Sequence, residues 1–274
     1  MALTELQRGI LAVIARNRSP DSHFAGGATM NLNNARLSRN FDIFHDVAAG
    51  VRENAKQDFD SLQAAGYQAA ESQRSRPERG FIEAIISKGD VATEIQWVVD
   101  SAIRFFPVIE DKEFGWRLHD FDLAINKTLA LAGRREPRDY YDLFMLEQKG
   151  VSLASLVWAA PAKDPGFTPD LLLEEIVRNS SYSEAEMRAK IDADPLPDLV
   201  MMKRSLLRAV HHARDVVESA PMDEIGLLYL DKDGRIVEPG DHTGLEIGAH
   251  SASLGGSWPI FPEKGSALGI APSL

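Results

Sequence analysis

The chain has 274 residues, of which 44% are hydrophobic and 26% charged, with a formal net charge of −11. That composition excludes a disordered chain, a collagen and a coiled-coil rod, and the absence of cysteine excludes disulfides, cysteine-type zinc sites and a thiol nucleophile. No apolar run approaches the ~20 residues that span a bilayer, and Glu5 and Gln7 interrupt any secretory pattern, so the expectation is a cytoplasmic protein with no membrane partner.

The elements read as follows in chain order. Thr4 with Gln7 forms a capping box for a first helix whose apolar stripe is Leu6, Ile10, Val13 and Ile14. Ser22 to Gly27 is a short strand-like run ending in two glycines, and a brief helix from Ala28 to Asn34 follows. Phe41-Asp42-Ile43-Phe44 alternates as a half-buried strand does. The spacing predicts a long helix from Asp46 to Ala69, a polar turn over 72–80, and two strands, Phe81–Ser87 and Ala92–Asp100, joined at Lys88-Gly89-Asp90. After Pro107 comes an acidic loop, then helices from Asp120 to Ala132 and from Pro137 to Gln148.

Beyond residue 151 the pattern is helical, with a cap at Thr168-Pro169, a capping box at Ser183 and Glu186, and a long helix from Leu196 to Ser219. Leu227 to Val237 reads as a hairpin turning on Asp231-Lys232-Asp233-Gly234, and residues 239–274, rich in Gly, Ser and Pro, as irregular surface structure. This order predicts an α+β protein: a small mixed-sheet domain over 1–115, a helical domain over 116–220, and a hairpin and tail over 221–274.

Several pieces carry chemistry. Gly26-Gly27 lies between a strand and a helix, where glycines let a ligand approach the backbone, although such a pair by itself is more often an ordinary turn. Asn40 and Asp42 are two apart in a strand, so both point to one side and could offer oxygens to a divalent cation; a solvated strand face is the plain alternative. Asp100 ends a later strand and could complete a metal cluster or cap the next turn. Lys127 flanks the apolar face of its helix, made of Phe121, Ala124, Ile125, Thr128 and Leu129, while Asp139 and Asp142 share a face three residues apart, where carboxylates also complement a helix start. Lys203, Arg204, Arg208, His211 and His212 line one side of the long helix, as an RNA contact or a solvated face.

In sequence these pieces run Gly-Gly, Ser38-x-Asn40-x-Asp42, Asp100 at a strand end, Asp122-x-Ala124-x-Asn126-Lys127, and Arg135-x-x-Arg138-Asp139-x-x-Asp142-Leu143. Over residues 3–150 that order resembles the AbiEii/AbiGii toxin family of nucleotidyltransferases, in the polymerase-β-like superfamily. The resemblance implies a small mixed-sheet nucleotidyltransferase domain followed by a helical domain. It implies transfer of a nucleoside monophosphate from an NTP to an RNA (tRNA among them) or protein acceptor, by the toxin of a toxin–antitoxin pair, with a cognate antitoxin as partner. Mg²⁺ would be the cofactor, bound by Asn40, Asp42 and Asp100, with Asp100 as candidate base. Gly26, Gly27 and Ser38 would hold the phosphates, and Lys127, Asp139 and Asp142 would assist nucleotide binding and catalysis. One position departs from the pattern: Asn40 stands where the family has the first aspartate of its pair. A unit charge near 4 Å is worth on the order of 4 kcal/mol at an effective dielectric of 20, before desolvation. The second expectation is therefore a catalytically weakened nucleotide- or partner-binding protein.

Overall fold

The computed structural model describes residues 3–30, 36–240, 242–243 and 245–259. The expected helical residues 31–34 and the tail beyond 259 lie outside them. The described residues divide into two compact units, one of residues 3–102, 107–119 and 192–194, the other of 103–106, 120–191 and the stretch from 195 onward.

In chain order the first half holds α1 (Glu5–Ile14), β1 (Ser22–Ala25), α2 (Gly26–Met30), β2 (Asn40–His45), α3 (Ala48–Ala64), β3 (Gln68–Glu71), β4 (Phe81–Lys88), β5 (Val91–Val99), β6 (Ile103–Arg104), β7 (Ile109–Asp111) and β8 (Gly115–Arg117). The capping box of α1 forms as expected, with Gln7 N donating to Thr4 Oγ1 at 3.2 Å and Thr4 N to Gln7 Oε1 at 2.9 Å. All of these strands except β6 make one seven-stranded sheet in the order β3-β4-β5-β2-β1-β8-β7. It is mixed: β2 runs parallel to β5 and β1 parallel to β8, while β1–β2, β3–β4, β4–β5 and β7–β8 are antiparallel.

The long helix ends five residues earlier than its composition predicts. Gly66 at φ +82 turns the chain in a conformation that only glycine adopts without strain, and Gln68–Glu71 then pairs with β4. Alanine and glutamine favour helix locally, but ladder pairing outweighs a few tenths of a kcal/mol of propensity. The acidic loop after Pro107 is a tight hairpin, β7–β8. Asp111 closes it by accepting from the amides of Glu113 at 2.8 Å and Phe114 at 3.0 Å and from Arg117 Nε at 3.0 Å. Strands of three residues are too short to show a period.

One sheet face is packed. Phe41 and Ile43 of β2, Ile82, Ala84 and Ile86 of β4, and Ile95 and Trp97 of β5 are buried with Ile10, Leu11 and Ile14 of α1 and Val51, Ala55 and Leu62 of α3. Side chains alternate along a strand, so Asn40, Asp42, Glu83, Glu94 and Gln96 all point to the other face. Within the packed layer lies a polar network. Arg18 and Asp58 pair at 2.6 Å with both side chains fully buried. Trp97 Nε1 donates to Asp58 at 2.7 Å and Asn17 Nδ2 at 2.8 Å. Arg18 also reaches Ser22 Oγ at 3.1 Å, which in turn meets His45 Nε2 at 3.1 Å.

Burial, and then the Arg18 charge, pushes His45 down to about 4 from its ordinary 6.5. A folded-state pKa below the unfolded one means the unfolded chain takes up the proton first. Stability is therefore complete above pH 6.5 and falls between pH 6.5 and 4, by about 3 kcal/mol in all. Melting curves from pH 7 to 4 are expected to show that loss, and a His45→Gln variant a distinctly shallower one.

The second unit is mostly helical: α4 (Asp120–Gly133), α5 (Pro137–Gln148), α6 (Leu153–Ala159), α7 (Pro169–Asn179), α8 (Glu184–Lys190) and α9 (Leu199–Ser219). The expected caps form at Thr168 and Ser183, and Asp198 caps α9. The hairpin forms as β9 (Leu227–Asp231) and β10 (Ile236–Val237), and β11 (Ile247–Ser251) joins β9 on its other side. The tail expected to be irregular therefore contributes a strand, and β12 (Ser253–Leu254) pairs with β6. Gly248 and Ser251 hide β11 from propensity, whereas its pairing with β9 and the buried His250, hydrogen-bonded to the Phe105 carbonyl at 2.8 Å, define it. Asp122, fully buried in α4, accepts from the amides of Phe105 and Phe106 at 3.0 Å each and pairs with Lys163 at 3.3 Å. Among the described residues no helix is long and apolar enough to cross a membrane.

Candidate active site

The glycine pair meets the aspartate strand. β1 and β2 are antiparallel with Ala25 opposite Asp42, which sets Gly26 beside the Asp42 side chain. Gly26 has φ +69, and a Cβ built there would overlap Asp42 Oδ2. Both the backbone conformation and the space require glycine. Thr29 Oγ1 closes the turn by donating to the Gly26 carbonyl at 2.9 Å. At Gly27 a Cβ would lie 2.7 Å from Arg36 Nη2 and 3.7 Å from Ser38 Oγ.

Asn40 and Asp42 share a face, as their spacing predicts. The Asn40 Nδ2 donates to Asp42 Oδ1 at 2.9 Å. Ser38 is buried and donates its hydroxyl to the Asn40 carbonyl at 3.0 Å, so it stiffens the entry to β2. Gly26, Gly27, Ser38, Asn40 and Asp42 therefore do come together.

Asp100 does not join them. Asp42 is level with Gln96 of β5, and Asp100 lies four residues further on, where its amide donates to the His45 carbonyl at 3.0 Å. At ~3.3 Å per residue the offset along the strands is about 13 Å, far beyond what one cation with ~2.1 Å bonds can bridge.

The residues beside the pair are instead Glu94, opposite Asn40, and Gln96, opposite Asp42, with Glu83 of β4 opposite Gln96. Gln96 Nε2 donates to Glu94 Oε1 at 2.6 Å and to Glu83 Oε2 at 3.1 Å. Glu83 is buried and pairs with the exposed Arg74 at 3.3 Å. Sequence reasoning passed over these three. The hairpin register was the signal available: in alternation, Glu83, Glu94 and Gln96 oppose the apolar positions.

In the second unit, Lys127 of α4 reaches Asp139 at 2.9 Å and Asp142 at 3.0 Å, and Arg134 pairs with Asp139 at 2.8 Å. The two aspartates are buried and Lys127 nearly so. Burial works against the Lys127 charge, but the carboxylates of Asp142 and Asp139 outweigh it and hold the ammonium above its ordinary range. Burial likewise pushes against ionised Asp139, and Lys127 and Arg134 overcome it, keeping the carboxyl below the usual range. The apolar face of α4 is buried at Phe121, Ala124, Ile125 and Thr128, with Leu131 rather than Leu129 completing it. On α9, Lys203, Arg204, Arg208, His211 and His212 are exposed, and His212 pairs with Glu238 at 2.8 Å.

A solved structure of MenT4, a nucleotidyltransferase toxin from Mycobacterium tuberculosis H37Rv, superposes on this chain with a TM-score of 0.54, at 13% identity, over 77% of this chain and 82% of that one. This chain shares its fold with a nucleotidyltransferase toxin. A second structure, from H. pylori and provisionally named a nucleotidyltransferase, gives 0.46 at 16% identity over 78% and 94% of the two chains. No family model matches the chain, and no curated protein matches it in sequence.

The donor set bears on metal. Among the described residues no group of three or more histidines or carboxylates is placed to hold an ion. Asp42 and the amide of Asn40 supply hard oxygens with a single negative charge. Mg²⁺ commonly binds through one or two carboxylates together with substrate phosphates. The pair fits an ion that arrives with a triphosphate, not one held beforehand.

Proposed function

We propose that the protein is a nucleotidyltransferase of toxin type. It binds an NTP at the Gly26-Gly27 turn and transfers the nucleoside monophosphate to an RNA or protein hydroxyl. The observation that carries this reading is the Gly26–Asp42 contact: a side-chain-free turn pressed against a carboxylate on the unpacked face of a sheet with this fold. The AbiEii/AbiGii motif order supports it. The backbone at the Gly26-Gly27 turn, with no side chain over it, would lie against the β- and γ-phosphates, and Asp42 would orient the α-phosphate side. The acceptor oxygen attacks the α-phosphorus in line, the bond to the bridging oxygen breaks, pyrophosphate leaves, and the acceptor proton passes to a nearby carboxylate, for which Glu94 replaces Asp100 as our candidate. Bound with the nucleotide, Mg²⁺ would neutralise developing phosphate charge. Within the second unit, Asp139 and Asp142 keep Lys127 charged and fixed in direction.

The test is transfer of label. The full chain, each α-labelled NTP, Mg²⁺ and total RNA should give labelled RNA or labelled protein with at least one nucleotide. No transfer with any of the four would overturn the reading. A cognate antitoxin belongs to the same proposal and would suppress that transfer.

The Asn40–Asp42 hydrogen bond favours a second reading, a chain that binds nucleotide with weakened chemistry. Asn40→Asp restores the missing charge. Calorimetry is expected to show Mg²⁺ affinity in the presence of NTP rising about tenfold or more, since one further unit charge near the ion is worth more than the 1.4 kcal/mol of a decade. Labelling should rise with it if the wild-type protein is a weakened enzyme and stay flat if it only binds.

A further inference from the structure

The two glycines are flanked by opposite charges. Asp42 crowds Gly26, and on the other side the Arg36 guanidinium occupies the space a Gly27 side chain would need, with Nη2 2.7 Å from that Cβ position. Arg36 is only 2% exposed. A buried guanidinium is costly unless it is paired and hydrogen-bonded; Arg36 Nη1 donates to the Leu37 carbonyl at 3.4 Å, and the segment that follows it is anchored. Leu37 N donates to the Asp192 carbonyl at 2.8 Å, and Gln7 Nε2 of α1 donates to the Ser38 carbonyl at 2.8 Å. Ser38 Oγ, 3.7 Å from the same Gly27 position, donates on to β2 at Asn40. A buried cation and a buried hydroxyl, on an anchored segment, thus lie against the Gly27 position.

We propose that Arg36 is a positioning residue for the phosphate end of the nucleotide, acting through the Gly27 backbone. The proposal rests on the nucleotidyltransferase reading above. Arg36 is too enclosed to bind the ligand directly. Its planar fork fills the space over Gly27 and fixes the direction of the turn's amides, and its charge makes that turn a more favourable place for anionic oxygens. Gly27 is glycine so that the guanidinium can come this close.

Inorganic tripolyphosphate with Mg²⁺ probes this without knowledge of the base. Calorimetry on the full chain is expected to show binding by the wild type, weakened about tenfold by Arg36→Gln. Arg36→Lys should restore little, because an ammonium keeps the charge without the fork. Gly27→Ala leaves Arg36 in the sequence but displaces it, and should weaken binding to a similar degree, covering the case in which Arg36→Gln does not fold. With an NTP, these variants should raise KM more than they lower kcat. A purely structural role predicts a lower melting temperature with unchanged affinity in the folded protein, and that result overturns the proposal. If the wild type itself fails to bind Mg²⁺-tripolyphosphate, the nucleotide-site reading falls and this inference falls with it. If the wild type binds and both Arg36→Gln and Gly27→Ala bind within twofold of it, only the role of Arg36 is refuted.

Discussion

Replacing Asp42 by alanine is expected to cut NTP-dependent labelling by about 10²–10³-fold or more while leaving the protein folded. The size follows from the donor set. Asn40 is neutral, so Asp42 holds the charge that the pair can offer a phosphate-bound cation. Losing a preorganised electrostatic partner of the transition state costs several kcal/mol. The expectation of an intact fold follows from geometry. Asp42 lies on the sheet face opposite the packed core and is half-buried, and removal of such a side chain changes stability by about 1 kcal/mol or less. Labelling kinetics and a melting curve on the same sample separate the two effects. Wild-type labelling by Asp42→Ala would remove Asp42 from the mechanism, and the Gly26–Asp42 contact would then be packing alone.

Asp58→Ala should do the reverse, with a large loss of stability at a residue on the core side of the sheet. Burial works against both charges of the Arg18–Asp58 pair. It pushes the Asp58 carboxyl up and the Arg18 guanidinium down, and their mutual attraction, with Asn17 and Trp97 donating to the carboxylate, opposes this. Removing one partner leaves the other charge buried and the Trp97 indole N–H without its acceptor. Breaking such a pair typically costs about 3–5 kcal/mol, a large share of the 5–15 kcal/mol that holds a domain together. Denaturant titration should show the midpoint fall steeply. The paired change Arg18→Met with Asp58→Leu should recover much of the loss, because it removes both desolvation penalties together. A loss as large in the double variant would mean that the network contributes specific hydrogen bonding rather than charge balance.

The second prediction concerns residues that nothing in the chain marks out. Arg18 follows a helix end and Asp58 sits mid-helix among Gln57 and Phe59, where each reads as an ordinary surface charge. Only packing α3 against the sheet brings them within 2.6 Å. The same holds for Glu83, Glu94 and Gln96. Each reads as the polar half of an alternating strand, and their convergence beside Asp42 depends on β5 pairing in parallel with β2. Asp100 failed to join Asp42 for the same reason. Both are carboxylates near a strand, but the parallel register leaves them about 13 Å apart.

What the chain determined alone is local. Caps, turn glycines and 3.6-residue stripes depend on neighbours within a few positions, so the capping boxes at Thr4 and Ser183, the starts of α4 and α5, the hairpin at Gly89 and the common face of Asn40 and Asp42 are all legible in the sequence. Tertiary structure decided the rest: the short strands β3, β7 and β11, which exist because a partner satisfies their backbone groups; the buried Arg18–Asp58 and Asp122–Lys163 pairs; and the enclosure of Gly26 and Gly27 between Asp42 and Arg36. Hydrogen-bond partners and desolvation are set by residues distant in sequence, and strand register brings them together.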